Sequence, residues 1–172
     1  MPIFRRSVLL FPGFPDEADI EHVRRLFDPA YTKIKPHITL VFPFFSEYTA
    51  EEIQTAVASC VTAVHPFILT MHEIRVKDTF IFMLPSEGGV SIAELFRALH
   101  SGLFGPYLPP ILQHEEFIPH MTIGTCSPET SKQRLEQVRS LLGEYTTRIH
   151  TISVEVIGSN GEAVIESEIP LK

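Results

Sequence analysis

At 172 residues and 44% hydrophobic content, the chain has enough apolar material for one good core and too little length to argue for two independently folded units. A formal charge of −7 excludes a protein that coats long duplex nucleic acid through a broad basic surface, but it leaves room for a small phosphate in one local pocket. The two cysteines, Cys60 and Cys126, have no CxxC spacing, so neither a disulfide framework nor a zinc cage is signalled.

In chain order, residues 3–11 (IFRRSVLLF) read as a strand. Arg5 and Arg6 before an apolar stretch resemble the start of a secretory signal, but Pro12, Gly13 and Pro15 end the run too early. The expectation is therefore a cytoplasmic protein. No apolar stretch approaches the roughly 18 to 20 residues that span a bilayer, so no membrane partner is expected. Asp16 to Phe27 has helical spacing and an acidic first turn, and residues 37–45 (HITLVFPFF) read as a short strand. Thr49 ahead of Ala50-Glu51-Glu52 looks like an N-cap with a capping box, opening a helix to about Val64. Strands over 67–76 and 79–84, joined by a tight turn at Lys77-Asp78, precede a helix over Ser91 to Leu103 and a Pro-rich connection over Gly105 to Pro110. Residues 117–125 (FIPHMTIGT) form another strand, and Ser127-Pro128-Glu129 starts a helix that ends near Gly143. Two last strands, 146–157 and 162–169, flank Ser159-Asn160-Gly161, where Asn-Gly signals a hairpin. The fold class expected is α+β and largely antiparallel.

One self-similarity stands out. Pro36-His37-Ile38-Thr39-Leu40 and Pro119-His120-Met121-Thr122-Ile123 share the pattern Pro-His-apolar-Thr-apolar. One such match is expected by chance in roughly one chain in several hundred of this length, and a pair far more rarely. Alternation on a strand puts His37 and Thr39 on one face and Ile38 and Leu40 on the other, and His120 and Thr122 repeat this against Met121 and Ile123. Two such strands facing each other would present two imidazoles and two hydroxyls to one cleft. Phosphodiester cleavage calls for those groups: a base for the attacking hydroxyl, an acid for the departing oxygen, and donors for the non-bridging oxygens. Histidine can take either proton role near neutral pH, so the pair leaves no task that requires a metal or another cofactor.

These paired motifs resemble those of the two-histidine phosphoesterase superfamily, also called the LigT or 2'-5' RNA ligase family, over nearly the whole chain. Asp28-Pro29-Ala30-Tyr31 and Phe117-Ile118-Pro119-His120 are similar to the small bacterial YjcG-like branch in particular. The resemblance implies one two-lobed domain over residues 1–172, with two pseudo-symmetric lobes of mainly antiparallel sheet and flanking helices around a central groove. It implies catalysis by His37, Thr39, His120 and Thr122 on a 2',3'-cyclic or 2'-5' ribose phosphodiester, as a nucleotide or an RNA end, and in some members reversible 2'-5' RNA ligation. The competing expectation is a non-catalytic module that binds a nucleotide or RNA end.

Other side chains enter as accessories. Arg5, Arg6 and Lys35 could add positive charge to a phosphate pocket, with ordinary surface charge as the alternative. Phe42, Phe44 and Phe45 offer either a stacking platform or core. Cys126 reads as an inert thiol, and His22, His65, His72, His100, His114 and His150 lack metal-ligand spacing.

Overall fold

A computed structural model describes residues 2–172. Eight strands form one antiparallel sheet: β1 (Phe4–Leu10), β2 (Ile38–Ser46), β3 (Phe67–Lys77), β4 (Phe80–Glu87), β5 (Met121–Thr125), β6 (Tyr145–Ile149), β7 (Thr151–Ile157) and β8 (Ala163–Pro170). The helices are α1 (Ala18–Phe27), α2 (Ala50–Cys60), α3 (Gly89–His100) and α4 (Ser131–Leu141), and the Pro-rich connection forms two 3-10 turns, Gly105–Tyr107 and Pro110–Gln113. The strand order β6-β3-β4-β5-β2-β1-β7-β8 divides into two halves of four, each with the strand that follows its motif histidine at the inner edge.

The halves meet where β2 and β5 pair through Ile38 and Met121. Both side chains are sealed in the core, as are Leu40 and Ile123. Proline fixes the start of each strand: Pro36 and Pro119 have no N–H to give to a ladder, so pairing begins only past each histidine. Hence the strand expected from residue 117 begins at Met121. Helix α1 packs on β5, α2 on β8, α3 on β2 and α4 on β3, and no residue of these helices lines the hollows beside His37, Thr39, His120 and Thr122. That side of the central strands is left to form a groove.

Local signals account for several boundaries. Thr49 caps α2 with a complete capping box: its hydroxyl accepts from the Glu52 N–H, and the Glu52 carboxylate accepts from the Thr49 N–H at 2.7 Å. Thr49→Ala should cost about 1 kcal/mol, read as a lower urea midpoint at unchanged slope; an unchanged midpoint would mean that the box adds nothing. The helix stops at Cys60 rather than Val64, and the carbonyls that follow close a turn instead. The closing hairpin forms as expected, with Gly161 at φ +80 and the Asn160 side-chain oxygen accepting from the Glu162 N–H.

The strand expected over 146–157 is two strands. β6 pairs with β3 in one half, and β7 pairs with β1 in the other, so the chain crosses the molecule at His150. Tyr145 and Ile149 are buried on odd positions, whereas Ile152 and Val154 are buried on even ones. That change of phase marks the corner, because one strand cannot hold both sets on the same face.

Candidate functional site

Around the Ile38–Met121 pair, antiparallel register sets His37 across from Thr122 and Thr39 across from His120, all on the groove face. Each histidine thus stands opposite the other motif's threonine. Thr39 lines both the hollow that contains His120 and Thr122 and the one that contains His37. The structure therefore brings together the four side chains singled out in the sequence.

The two imidazoles are held in the same way. His37 Nδ1–H donates to the Lys35 carbonyl at 2.8 Å, and His120 Nδ1–H donates to the Ile118 carbonyl at 2.7 Å. In both cases the acceptor is the backbone two residues upstream, on the far side of the motif proline. A carbonyl can only accept, so it assigns the proton to Nδ1 and leaves Nε2 free to take or give a proton. Burial pushes both histidines below the ordinary value, and the carbonyls oppose this. Arg24 and His120 lower His37 further while Asp28 raises it, and Lys77 lowers His120.

The surroundings differ on the two flanks. The Phe82 ring stacks on His120 with centroids 3.8 Å apart and planes 25° from parallel. Phe42, Phe80 and Phe117 extend this apolar wall around a hollow of about 370 Å³. On the other flank Phe11 meets His37 at a tilt, and Arg5, Lys33 and Glu155 make that side charged. Lys77, near His120, is paired with Glu115 at 3.2 Å.

Behind His37, Arg24 is 1% exposed and organises the loop that leads to the motif. It donates to Asp28 at 2.9 Å, to Glu21 at 3.2 Å and to the Ile34 carbonyl at 2.6 Å, while Asp28 accepts from the Ala30 N–H. The Asp28-Pro29-Ala30-Tyr31 segment is therefore a braced turn one short step from His37.

The accessory expectations divide. Arg5 lines the hollow with His37, but Arg6 does not reach it: it is buried against Glu166, bidentate at 2.7 and 2.8 Å, and donates to the Tyr48 carbonyl. Lys35 lines the neighbouring hollow instead. Phe42 borders the groove, Phe44 packs in the core against Phe104 and Tyr107, and Phe45 is exposed. Cys126 is a core residue. Among the described residues no group of three or more His, Cys, Asp or Glu is placed to hold a metal ion, and no helix is long and apolar enough to cross a membrane.

Sequence reasoning missed Phe82, Lys77, Arg24 and Glu155. On β4, Phe80 and Phe82 alternate with the buried Ile81 and Met83. Only the pairing of Phe82 with Thr122 shows which of those faces belongs to the groove.

The model of the 2'-5' RNA ligase superfamily matches residues 12–160. A protein of Halalkalibacterium halodurans that carries the name phosphoesterase is 31% identical over 125 residues, covering 69% of this chain and 68% of its own. Escherichia coli LigT complexed with 3'-AMP superimposes with a TM-score of 0.66 at 14% identity, over 99% of this chain and 97% of that one. LigT complexed with ATP gives 0.59 at 13%, over 100% and 96%. At these identities the superpositions establish the fold.

Proposed function

Because the chain belongs to the 2'-5' RNA ligase superfamily and is a two-histidine phosphoesterase, we propose that it is a metal-independent phosphodiesterase that cuts 2',3'-cyclic or 2'-5' ribose phosphodiesters, with His37 and His120 as its proton carriers. The observation that carries this reading is the matched hydrogen bond from each Nδ1–H to the carbonyl two residues upstream, which leaves both Nε2 atoms unspent on one face. One neutral Nε2 removes the proton of water or a ribose hydroxyl as it attacks phosphorus. The other, protonated, gives its proton to the ribose oxygen as its bond to phosphorus breaks. Thr39 and Thr122 donate to the non-bridging oxygens, where negative charge grows. Both proton tasks are then filled by side chains. In reverse, one Nε2 takes the proton of a 5'-hydroxyl as its oxygen attacks the cyclic phosphate, the P–O3' bond breaks and the other imidazolium protonates O3', so 2'-5' RNA ligation needs no further group.

Nucleotides and RNA ends are the substrates this reading assigns, supported by the nucleotide complexes of the similarly folded LigT. The free thiols of Cys60 and Cys126 fit a reducing cytoplasm, where processing of RNA ends would take place.

The pH dependence tests the proton roles. Both histidines lie below the ordinary value of about 6.5, and in free enzyme one of them must carry a proton to act as the acid. So kcat/KM should trace a bell with its maximum on the acid side of that value, falling as pH rises. A bound phosphodiester anion favours the imidazolium, so the bell for kcat should sit higher. Initial rates on a 2',3'-cyclic nucleotide from about pH 5 to 9 decide it; a flat profile over that range would remove the acid-base assignment.

A further inference from the structure

Glu155 is 3% exposed, and nothing in the catalytic scheme uses it. It rises from β7 beside Ser7 of β1, whose hydroxyl donates to Oε1 at 2.6 Å. Among the described residues that is its one hydrogen bond, and no Lys, Arg or His pairs with it. Burial pushes its carboxyl up, and the Ser7 hydroxyl only partly opposes this. The second carboxyl oxygen is not sealed, because Glu155 borders open space, so its accepting capacity is free to meet a donor from a ligand.

The space for such a donor is present. Glu155 lines the hollow of about 270 Å³ that holds His37 and Thr39, and also the adjoining one of about 610 Å³ walled by Phe11, Tyr31 and Lys33. β7 is the second strand from β2, and register through β1 (Leu9 with Thr39, Ser7 with Glu155) sets Glu155 two residues further along, so its backbone stands roughly 12 Å from that of Thr39. That is the reach of a nucleotide from its phosphate to the far edge of its base. Aromatic rings there offer stacking, the carboxyl accepts, and Lys33 donates.

Resting on the phosphodiesterase reading of the groove, we propose that Glu155 and Lys33 form a guanine-reading subsite on the His37 flank. Guanine presents adjacent donors at N1 and N2, which a carboxyl accepts, and acceptors at O6 and N7, which a lysine meets. Adenine presents an acceptor at N1, which leaves the carboxyl without its second donor. The subsite thus breaks the near symmetry of the two motifs by fixing which nucleoside lies beside His37.

The test is equilibrium binding by calorimetry of 3'-GMP, 3'-IMP and 3'-AMP to the wild-type protein and to Glu155→Gln. The wild type should bind 3'-GMP about tenfold more tightly than 3'-AMP, with 3'-IMP, which lacks the N2 amine, in between. Glu155→Gln should erase or reverse the preference, because its amide can donate to adenine N1 and accept from N6, and an unchanged circular-dichroism spectrum shows that the variant is folded. Equal wild-type affinity for the three nucleotides, no binding of any of them, or a preference that survives in Glu155→Gln would each overturn the subsite. Because binding and not turnover is read, a protein that discriminates guanine but cuts nothing would fail the phosphodiesterase reading and keep this one.

Discussion

His37→Ala and His120→Ala should each lower kcat by about 10² to 10⁴ while changing KM by no more than a few fold. Each imidazole lies on the groove face with its Nδ1–H on a backbone carbonyl, so its removal takes away a proton carrier together with one ring contact, to Phe11 or to Phe82. The double variant should lose scarcely more than either single one, because acid and base act in the same transition state and neither is useful alone. Steady-state rates on a 2',3'-cyclic nucleotide measure all three. Multiplicative losses in the double variant would mean that the histidines act in separate steps, and a single variant with near wild-type kcat would remove that residue from the chemistry. Thr39→Val and Thr122→Val should show smaller losses, since each removes one donor and leaves the proton transfers in place.

The second large effect is expected at Arg24. Arg24→Met keeps much of the apolar stem but removes three donated hydrogen bonds, leaving Asp28 without its buried cation and the Ile34 carbonyl without a donor. Breaking a buried pair from one side costs about 3 kcal/mol or more, which in a chain of this size lowers the thermal midpoint by roughly 10 °C. A purely structural brace would stop there. Beyond the larger effect of burial, Arg24 also depresses His37 while Asp28 raises it, so removing the guanidinium should move His37 upward. The kcat/KM maximum should therefore shift to higher pH in Arg24→Met. A lower midpoint with an unmoved maximum would restrict Arg24 to holding the loop, and an unchanged midpoint would contradict the brace itself.

What the sequence made legible was whatever depends on neighbours along the chain. The repeated Pro-His-apolar-Thr-apolar pattern fixed the composition of both motif faces, because alternation on a strand needs no knowledge of the partner strand. Thr49 with Glu52, and Asn160-Gly161, likewise announced a helix start and a hairpin from within a few residues. The crossing at His150 escaped because Tyr145 to Ile157 has no glycine or proline to break it, and the only clue is the change from odd to even apolar positions. Arg24 and Glu155 escaped for another reason: a charged residue on a helix or strand reads as solvated, and what buries them is contact with the loop at Ile34 and with Ser7, far away in sequence. Arg6 shows the converse. The sequence allows it, with Arg5, either positive charge for a phosphate pocket or ordinary surface charge, yet consecutive residues on a strand point to opposite faces, and Arg6 is buried and bound to Glu166 on the other side.

The most direct test of the central claim is chromatographic product analysis after incubating the protein, in EDTA, with 2',3'-cyclic nucleotides and short 2'-5' oligonucleotides, beside the two histidine variants. The account predicts cleavage by the wild type alone, with EDTA making no difference. Folded wild-type protein that binds these nucleotides and releases no product would contradict it, and would make the groove a recognition site for RNA ends rather than a catalytic one.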